Sequence, residues 1–300
     1  MPNDHLLNRG YQPLELDAKQ TICAALAAAP PATSELTFTN LFIWRHHYRP
    51  VWRELDGRLL IILAPHGQEP FGLPPLGPGD LTPAALALLA DLAAAGARQR
   101  LCRVGAEALG RLDQARFVAR ADRDQSDYVY AAQDLIQLKG NRFHRKKNHV
   151  NKFLKSQPHE YRPLDEALVR AVLDMQDAWC ALRDCADDPG LSAEDRAIHE
   201  ALCKFGRLDY QGGAILIHGK VEAFSLGEPL NPDTAVIHIE KANPEIPGLY
   251  AAINQQFAQN AWSGLAWINR EQDLGILGLR QAKESYNPHH LVDKYELTPA

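Results

Sequence analysis

Between Gly213 and Lys241 the chain carries three apolar stretches, Gly213 to His218, Val221 to Gly227 and Ala235 to Lys241. The first two are split by Gly219-Lys220, and only Glu228 to Thr234 lies between the second and third. Connections this short leave no room for the crossover that parallel neighbours need, so the stretches read as three consecutive antiparallel strands. The rest of the second half must arrange itself around them. Tyr161 to Leu164 is a strand, and Asp165 to Arg183 a long helix with Leu168, Val172, Met175, Trp179 and Leu182 on one face. Ser192-Ala-Glu-Asp starts a helix ending near Arg207. Downstream come a helix over Gly248 to Trp262, a strand over Leu265 to Asn269, a helix over Leu274 to Tyr286 and a strand over Leu291 to Leu297.

Strand, two helices, three antiparallel strands, helix, strand, helix, strand is the order of the GNAT acyltransferase-like fold. In that fold two neighbouring strands splay after the fourth strand and open a cleft. The first half carries a degraded version. Leu16 to Ala29 reads as a helix ended by Pro30-Pro31, and Thr37 to His47 as another, with Phe38, Leu41, Phe42 and Trp44 or Tyr48 on its apolar face. Val51 to Leu55 and Arg58 to Leu63 flank Asp56-Gly57, a hairpin turn. Pro70 to Gly79 is loop, Thr82-Pro83 opens a helix to about Ala97, and short strands lie near Leu101 to Val104 and Phe117 to Ala121. The expected class is α/β (α+β), with tandem GNAT-like domains at 1–138 and 159–300 joined by a basic helix at 139–158.

Hydrophobic residues make up 46% of the chain and charged residues 23%, as in an ordinary globular protein. No window approaches the ~18 consecutive apolar residues of a membrane span. Met1-Pro-Asn-Asp-His lacks a signal peptide's basic start, so a cytoplasmic location is expected. The five cysteines, Cys23, Cys102, Cys180, Cys185 and Cys203, include no C-x-x-C pair and read as buried, reduced thiols.

Charge is unevenly spread. Between Leu138 and His159 there is no acidic residue but seven cations, Lys139, Arg142, Arg145, Lys146, Lys147, Lys152 and Lys155; the remainder carries −12 against an overall −5. Asn141 to Ser156 contains no Pro or Gly and is expected to be helical, with Phe143, Val150, Phe153 and Leu154 forming a narrow apolar stripe. Cations cover most of the other faces. They suit an RNA backbone, such as that of tRNA, or another polyanion; an anionic membrane surface touched peripherally and a merely solvated face are the alternatives. His144 and His149 are poorly spaced for a shared metal, and no metal site is expected.

The richest polar sequence runs from Trp267 to Pro288. Asn269, Arg270, Glu271 and Asp273 sit in a turn leaving a strand, and Arg280, Lys283 and Glu284 follow at helical spacing. Mixed charge in such a place suits a zwitterionic group: a carboxylate holds an ammonium, and a guanidinium or ammonium holds a carbonyl or phosphate.

Four segments, Thr39-Asn-Leu-Phe-Ile-Trp, Lys146-Lys-Asn-His-Val-Asn-Lys-Phe, Ala223-Phe-Ser-Leu-Gly-Glu-Pro-Leu, and Ile268-Asn-Arg-Glu-Gln-Asp-Leu-Gly through Lys283-Glu-Ser-Tyr-Asn-Pro, carry a resemblance. Over nearly its whole length the chain resembles the cytoplasmic C-terminal domain of bacterial phosphatidylglycerol lysyltransferases and its stand-alone relatives. The resemblance implies a tandem GNAT-like architecture and transfer of an aminoacyl group from tRNA to an acceptor amine or hydroxyl. The membrane-spanning portion of the lipid-modifying enzymes is absent from this sequence, which leaves the acceptor open.

On that reading Glu240, Glu271, Asp273 and Tyr286 are the candidate catalytic residues, and Asn269, Arg270, Arg280, Lys283 and Lys241 the candidate substrate-binding ones. Backbone N–H groups near Glu240 and Lys241 would stabilise the oxyanion. Glu271 or Asp273 would hold the aminoacyl ammonium; Arg270, Arg280 and Lys283 would hold phosphate or carbonyl oxygen. Tyr286 would protonate the leaving hydroxyl. Aminoacyl-tRNA is then a co-substrate, and no separate cofactor is required. Two alternatives stay open: an acyl-coenzyme A N-acyltransferase, and a non-catalytic module binding RNA or anionic lipid. The segment that would hold the coenzyme's pyrophosphate, Asn243-Pro-Glu-Ile-Pro-Gly-Leu-Tyr, has one glycine, two prolines and an acid, which disfavours that use.

Overall fold

The computed structural model describes residues 2–156 and 158–300. Its contacts divide into two compact units, one of residues up to Asp127 together with Val292–Ala300, the other of Tyr128–Leu291.

The first unit contributes β1 (Gln12–Pro13), β2 (Val51–Leu55), β3 (Arg58–Leu63), β4 (Phe71–Gly72), β5 (Leu101–Gly105) and β6 (Phe117–Ala121). The β2–β3 hairpin turns at Asp56-Gly57, whose φ angles of 49° and 71° match the strand twist as a tight hairpin requires. Helix α1 is Lys19–Ala28, and α2 (Thr82–Ala94) has Pro83 in its first turn. Leu88, Leu89 and Leu92 of α2 share one core with Leu60, Ile62, Leu101 and Val104 of the sheet.

At the boundary lies β7 (Asp127–Ala131). The second unit then holds α3 (His144–Ser156), β8 (His159–Pro163), α4 (Glu166–Arg183), α5 (Pro189–Cys203), β9 (Gln211–Ile217), β10 (Lys220–Asn231), β11 (Thr234–Ala242), α6 (Leu249–Ala261), β12 (Trp267–Asn269), α7 (Leu277–Glu284) and β13 (His290–Val292). Its seven strands run in the order β13-β7-β12-β11-β10-β9-β8, with the antiparallel β9-β10-β11 meander as expected. The final strand, β14 (Lys294–Pro299), enters the other sheet, ordered β1-β2-β3-β4-β5-β14-β6. The architecture is thus α/β with two GNAT-like sheets.

Several boundaries differ from the sequence reading. The contacts do not divide the chain at 138 and 159: β7 and the basic helix belong with the second unit, and β14 with the first. Local periodicity identifies a strand but not the sheet edge that will satisfy its N–H and C=O groups. The basic helix is regular only from His144, after a 3₁₀ turn at Asn141–Phe143. Its stripe is Phe143, Val150 and Phe153, whereas Leu154 is exposed. Helix α5 begins at Pro189 rather than Ser192, because the Asp188 carboxylate accepts from the N–H groups of Gly190 and Leu191.

The cysteine expectation is overturned as well. Cys180 and Cys185 are joined in a disulfide, Cys203 is exposed, and Cys23 and Cys102 are half-buried. Asp184 takes the left-handed conformation after α4 and folds the chain back, bringing the two Cα atoms to 5.1 Å. No helix among the described residues is long and apolar enough to cross a membrane.

Candidate functional site where two strands part

Strand β12 pairs in parallel with β11 at three positions only, Thr234 with Trp267, Ala235 with Ile268 and Val236 with Asn269. The same three residues pair antiparallel with β7 on their other side, Asn269 opposite Val129, and beyond them the chain keeps to β7 alone: the Arg270 N–H donates to the Tyr128 carbonyl at 2.9 Å. Strand β11 stays with β10 as far as Ala242. The two strands therefore part after Val236 and Asn269, the splay expected of the fold.

A bulge decides what faces the gap. The β10–β11 register slips between Leu226 opposite Ile239 and Gly227 opposite Ile237, which leaves His238 as the extra residue. Ala235 and Ile237 pack with Phe257 of α6; past the bulge the alternation is inverted, and Glu240 and Ala242 take that face. The Asn243 N–H donates to the Glu222 carbonyl of β10, so the alternation of an antiparallel ladder turns the Glu240 N–H the other way, toward the side that β12 has left.

Four candidate residues meet in this gap. Glu240 accepts from Arg270 Nη2 and from Asn254 Nδ2 of α6, each at 2.9 Å. Both members of the Glu240–Arg270 pair are only 13% exposed. The guanidinium lies 4.7 Å from the ring centroid of Tyr286 and 5.6 Å from that of Tyr130. Lys283 donates through Nζ to the Arg270 carbonyl, and the Tyr130 hydroxyl donates to the Lys283 carbonyl at 2.8 Å. Burial pushes the Tyr286 phenol up to about 12, against the opposing pull of Arg270.

The other candidates lie elsewhere. Lys241 is on the opposite face of β11, its Nζ 2.7 Å from Glu194 Oε2 and 3.8 Å from the Trp179 ring centroid. Asp273 is fully buried and chelated by Arg280 through Nε and Nη2, at 2.8 and 2.9 Å, with further bonds from the Tyr128 hydroxyl and the Gly275 N–H. Burial opposes its ionisation, but these donors hold the carboxyl well below the usual range. Asp273 and Arg280 thus brace the turn in place of the expected contacts to an ammonium and a phosphate. The buried Asn269 also serves the turn, accepting from the Glu271 N–H at 2.8 Å.

Glu271 meets His238, which the sequence reading did not single out, and is linked through it to Glu228. His238 donates from Nδ1 to Glu271 Oε1 at 2.8 Å and from Nε2 to Glu228 Oε1 at 2.9 Å. Burial alone would lower the imidazole, but the two carboxylates more than offset it and raise it to about 9, an imidazolium between acids. The bulge that presents His238 depends on cross-strand register, which leaves no local trace in the sequence.

Of the seven cations of the basic segment, Lys139, Arg142, Arg145, Lys147, Lys152 and Lys155 are exposed, Arg142 paired with Asp134 at 2.7 Å. Lys146 is half-buried, and its Nζ stands 3.9 Å above the Tyr286 ring, in the gap rather than on the outer face. A sequence clue existed. Phe143, Lys146, Val150 and Phe153 recur at helical spacing, so Lys146 occupies a position of the apolar stripe.

A family model described as phosphatidylglycerol lysyltransferase, C-terminal, matches residues 27–298. A conserved protein of unknown function from Bacteroides thetaiotaomicron is 33% identical in sequence, with a TM-score of 0.89 over 97% of this chain and 99% of that one. The structure of L-PGS from Bacillus licheniformis matches with a TM-score of 0.65 at 15% identity, over 93% of this chain and 91% of that one. The C-terminal domain of a putative lysylphosphatidylglycerol synthetase from Agrobacterium fabrum gives 0.64 at 13% identity with the same coverages. No curated protein matches the chain.

Proposed function

The chain belongs to the phosphatidylglycerol lysyltransferase C-terminal family, and we propose that it moves an aminoacyl group from charged tRNA to an amine or hydroxyl acceptor in the gap between β11 and β12. One observation carries the reading. Helix α3 shows Arg145, Lys147, Lys152 and Lys155 to solvent while Lys146 reaches the Glu240–Arg270 pair, so a polyanion lying on the helix brings its end to the gap. The Glu240 N–H is the candidate oxyanion donor, Arg270 and Lys283 the candidate partners of carbonyl or phosphate oxygen, and Tyr286 the proton donor to the leaving hydroxyl.

Packing disfavours the coenzyme A alternative. A pyrophosphate needs the open N-terminus of α6, but α3 covers it: a Cβ on Gly248 would stand 2.2 Å from the His149 carbonyl oxygen and 3.2 Å from Phe153 Cβ. Gly248 is the residue that lets the two backbones approach.

Thermal unfolding with charged tRNA, uncharged tRNA or acetyl-coenzyme A separates the readings. A ligand at 100 times its Kd stabilises by about 2.7 kcal/mol. Stabilisation by charged tRNA, with loss of the aminoacyl group on adding an acceptor, is the expected result. Stabilisation by acetyl-coenzyme A alone refutes it. Salt-sensitive RNA binding that persists in Arg270→Met without any transfer by the parent protein favours a binding module.

A further inference from the structure

We propose that Lys146 is the general base of the transfer, taking the proton from the acceptor's nucleophilic nitrogen or oxygen as it attacks the ester carbonyl. This rests on the aminoacyl-transfer reading and adds to it the residue that activates the acceptor. Among the seven cations of the basic segment, Lys146 alone is withdrawn from full exposure, drawn in by its place in the stripe between Phe143 and Val150. Its stem carries Nζ over the face of Tyr286, beside the buried Glu240–Arg270 pair.

The surroundings suit a base. Facing Lys146 are Arg270 from the turn after β12, Glu240 from β11, Tyr286 from beyond α7, and Arg145 on its own helix. Burial, then the Arg270 charge, and then Arg145 disfavour the ammonium; Glu240 partly opposes them, and the group falls to about 8. Near neutrality an appreciable fraction carries a lone pair.

Protons balance around the pair. As the acceptor's nitrogen or oxygen bonds to the carbonyl carbon, its proton passes to the neutral Nζ. The ester C–O bond breaks, and the departing ribose oxygen takes the proton of the Tyr286 hydroxyl. Return of a proton from the Lys146 ammonium to the Tyr286 phenolate, its neighbour, restores both groups.

Two measurements test this. Competitive acetylation of the free protein with acetic anhydride, read by mass spectrometry, gives the Lys146 titration directly; a midpoint near 8 is expected, and an ordinary lysine midpoint overturns the proposal. In the second, loss of label from aminoacylated total tRNA is followed against pH with ethanolamine, glycinamide or phosphatidylglycerol vesicles as acceptors. The wild-type rate should rise through a step near the same pH. Lys146→Met and Lys146→Arg should lower it by about 10²-fold and remove the step, and methylamine should restore Lys146→Ala. Wild-type transfer that Lys146→Arg leaves unchanged overturns the base and spares the aminoacyl reading. No wild-type transfer to any of the three acceptors overturns both.

Discussion

Replacing Lys294 by methionine would leave two buried carboxylates in the first unit without their shared cation. Lys294 is fully buried on β14, with Nζ 2.6 Å from both Glu35 Oε1 and Asp127 Oδ1, and those carboxylates are 4% and 0% exposed. Methionine keeps most of the stem and removes the ammonium. Glu35 then retains Arg103 at 3.7 Å, while Asp127 retains the Ser34 N–H and hydroxyl at 2.8 and 2.9 Å. Deleting one partner of a buried pair costs about 3–5 kcal/mol. With two carboxylates affected, we expect about 4–5 kcal/mol at pH 7. At a urea m-value of about 2 kcal/mol/M the midpoint falls by roughly 2 M.

The dependence on pH provides a check. Burial raises the Glu35 carboxyl above its ordinary value, and the charge of Lys294 opposes that rise. A raised acid favours folding while it is protonated and loses that contribution as pH climbs through its folded value. Without Lys294 the loss deepens at neutral pH and shrinks on acidification toward the ordinary glutamate range. Glu35→Gln in the Lys294→Met background should recover part of the deficit. A loss below about 1 kcal/mol at pH 7, or one unchanged between pH 7 and pH 5, would refute the reasoning.

Gly248→Ala forces a Cβ against the His149 carbonyl at a φ of +88°, so urea unfolding should show a loss of about 3 kcal/mol; a loss under about 1 kcal/mol means α3 does not seat on α6 as described. Lys152→Glu with Lys155→Glu should leave stability within about 0.5 kcal/mol and reduce the salt slope of tRNA binding by roughly 2, measured by filter binding at several ionic strengths. The imidazolium of His238 contributes stability that is fully present below pH 6.5 and lost as pH rises through about 9. His238→Asn should remove that fall in a pH series of urea midpoints, and an unaltered series counts against the charged histidine.

Much of the local structure was legible from residues. The Asp56-Gly57 hairpin, the long helix α4 and the antiparallel meander follow from turn chemistry and periodicity, and all three are present. The gap itself was legible only as part of a fold order, and its lining was legible in part. Glu240, Arg270, Lys283 and Tyr286 meet there, whereas Asp273 and Arg280 satisfy each other and Lys241 points to the far face. A count of polar residues near a turn does not reveal which of them will neutralise one another.

The sequence by itself determined where most of the helices and the central meander form, and that one acid-free segment would carry the chain's concentrated positive charge, because propensity, capping and charge spacing act over a few residues. Only the tertiary structure decided that β14 joins the first sheet and β7 the second. It likewise decided that a bulge at His238 aims Glu240 at Arg270, and that Lys146 turns inward. Those outcomes depend on which distant backbone and side-chain groups satisfy one another, and that pairing exists only once the chain has closed on itself.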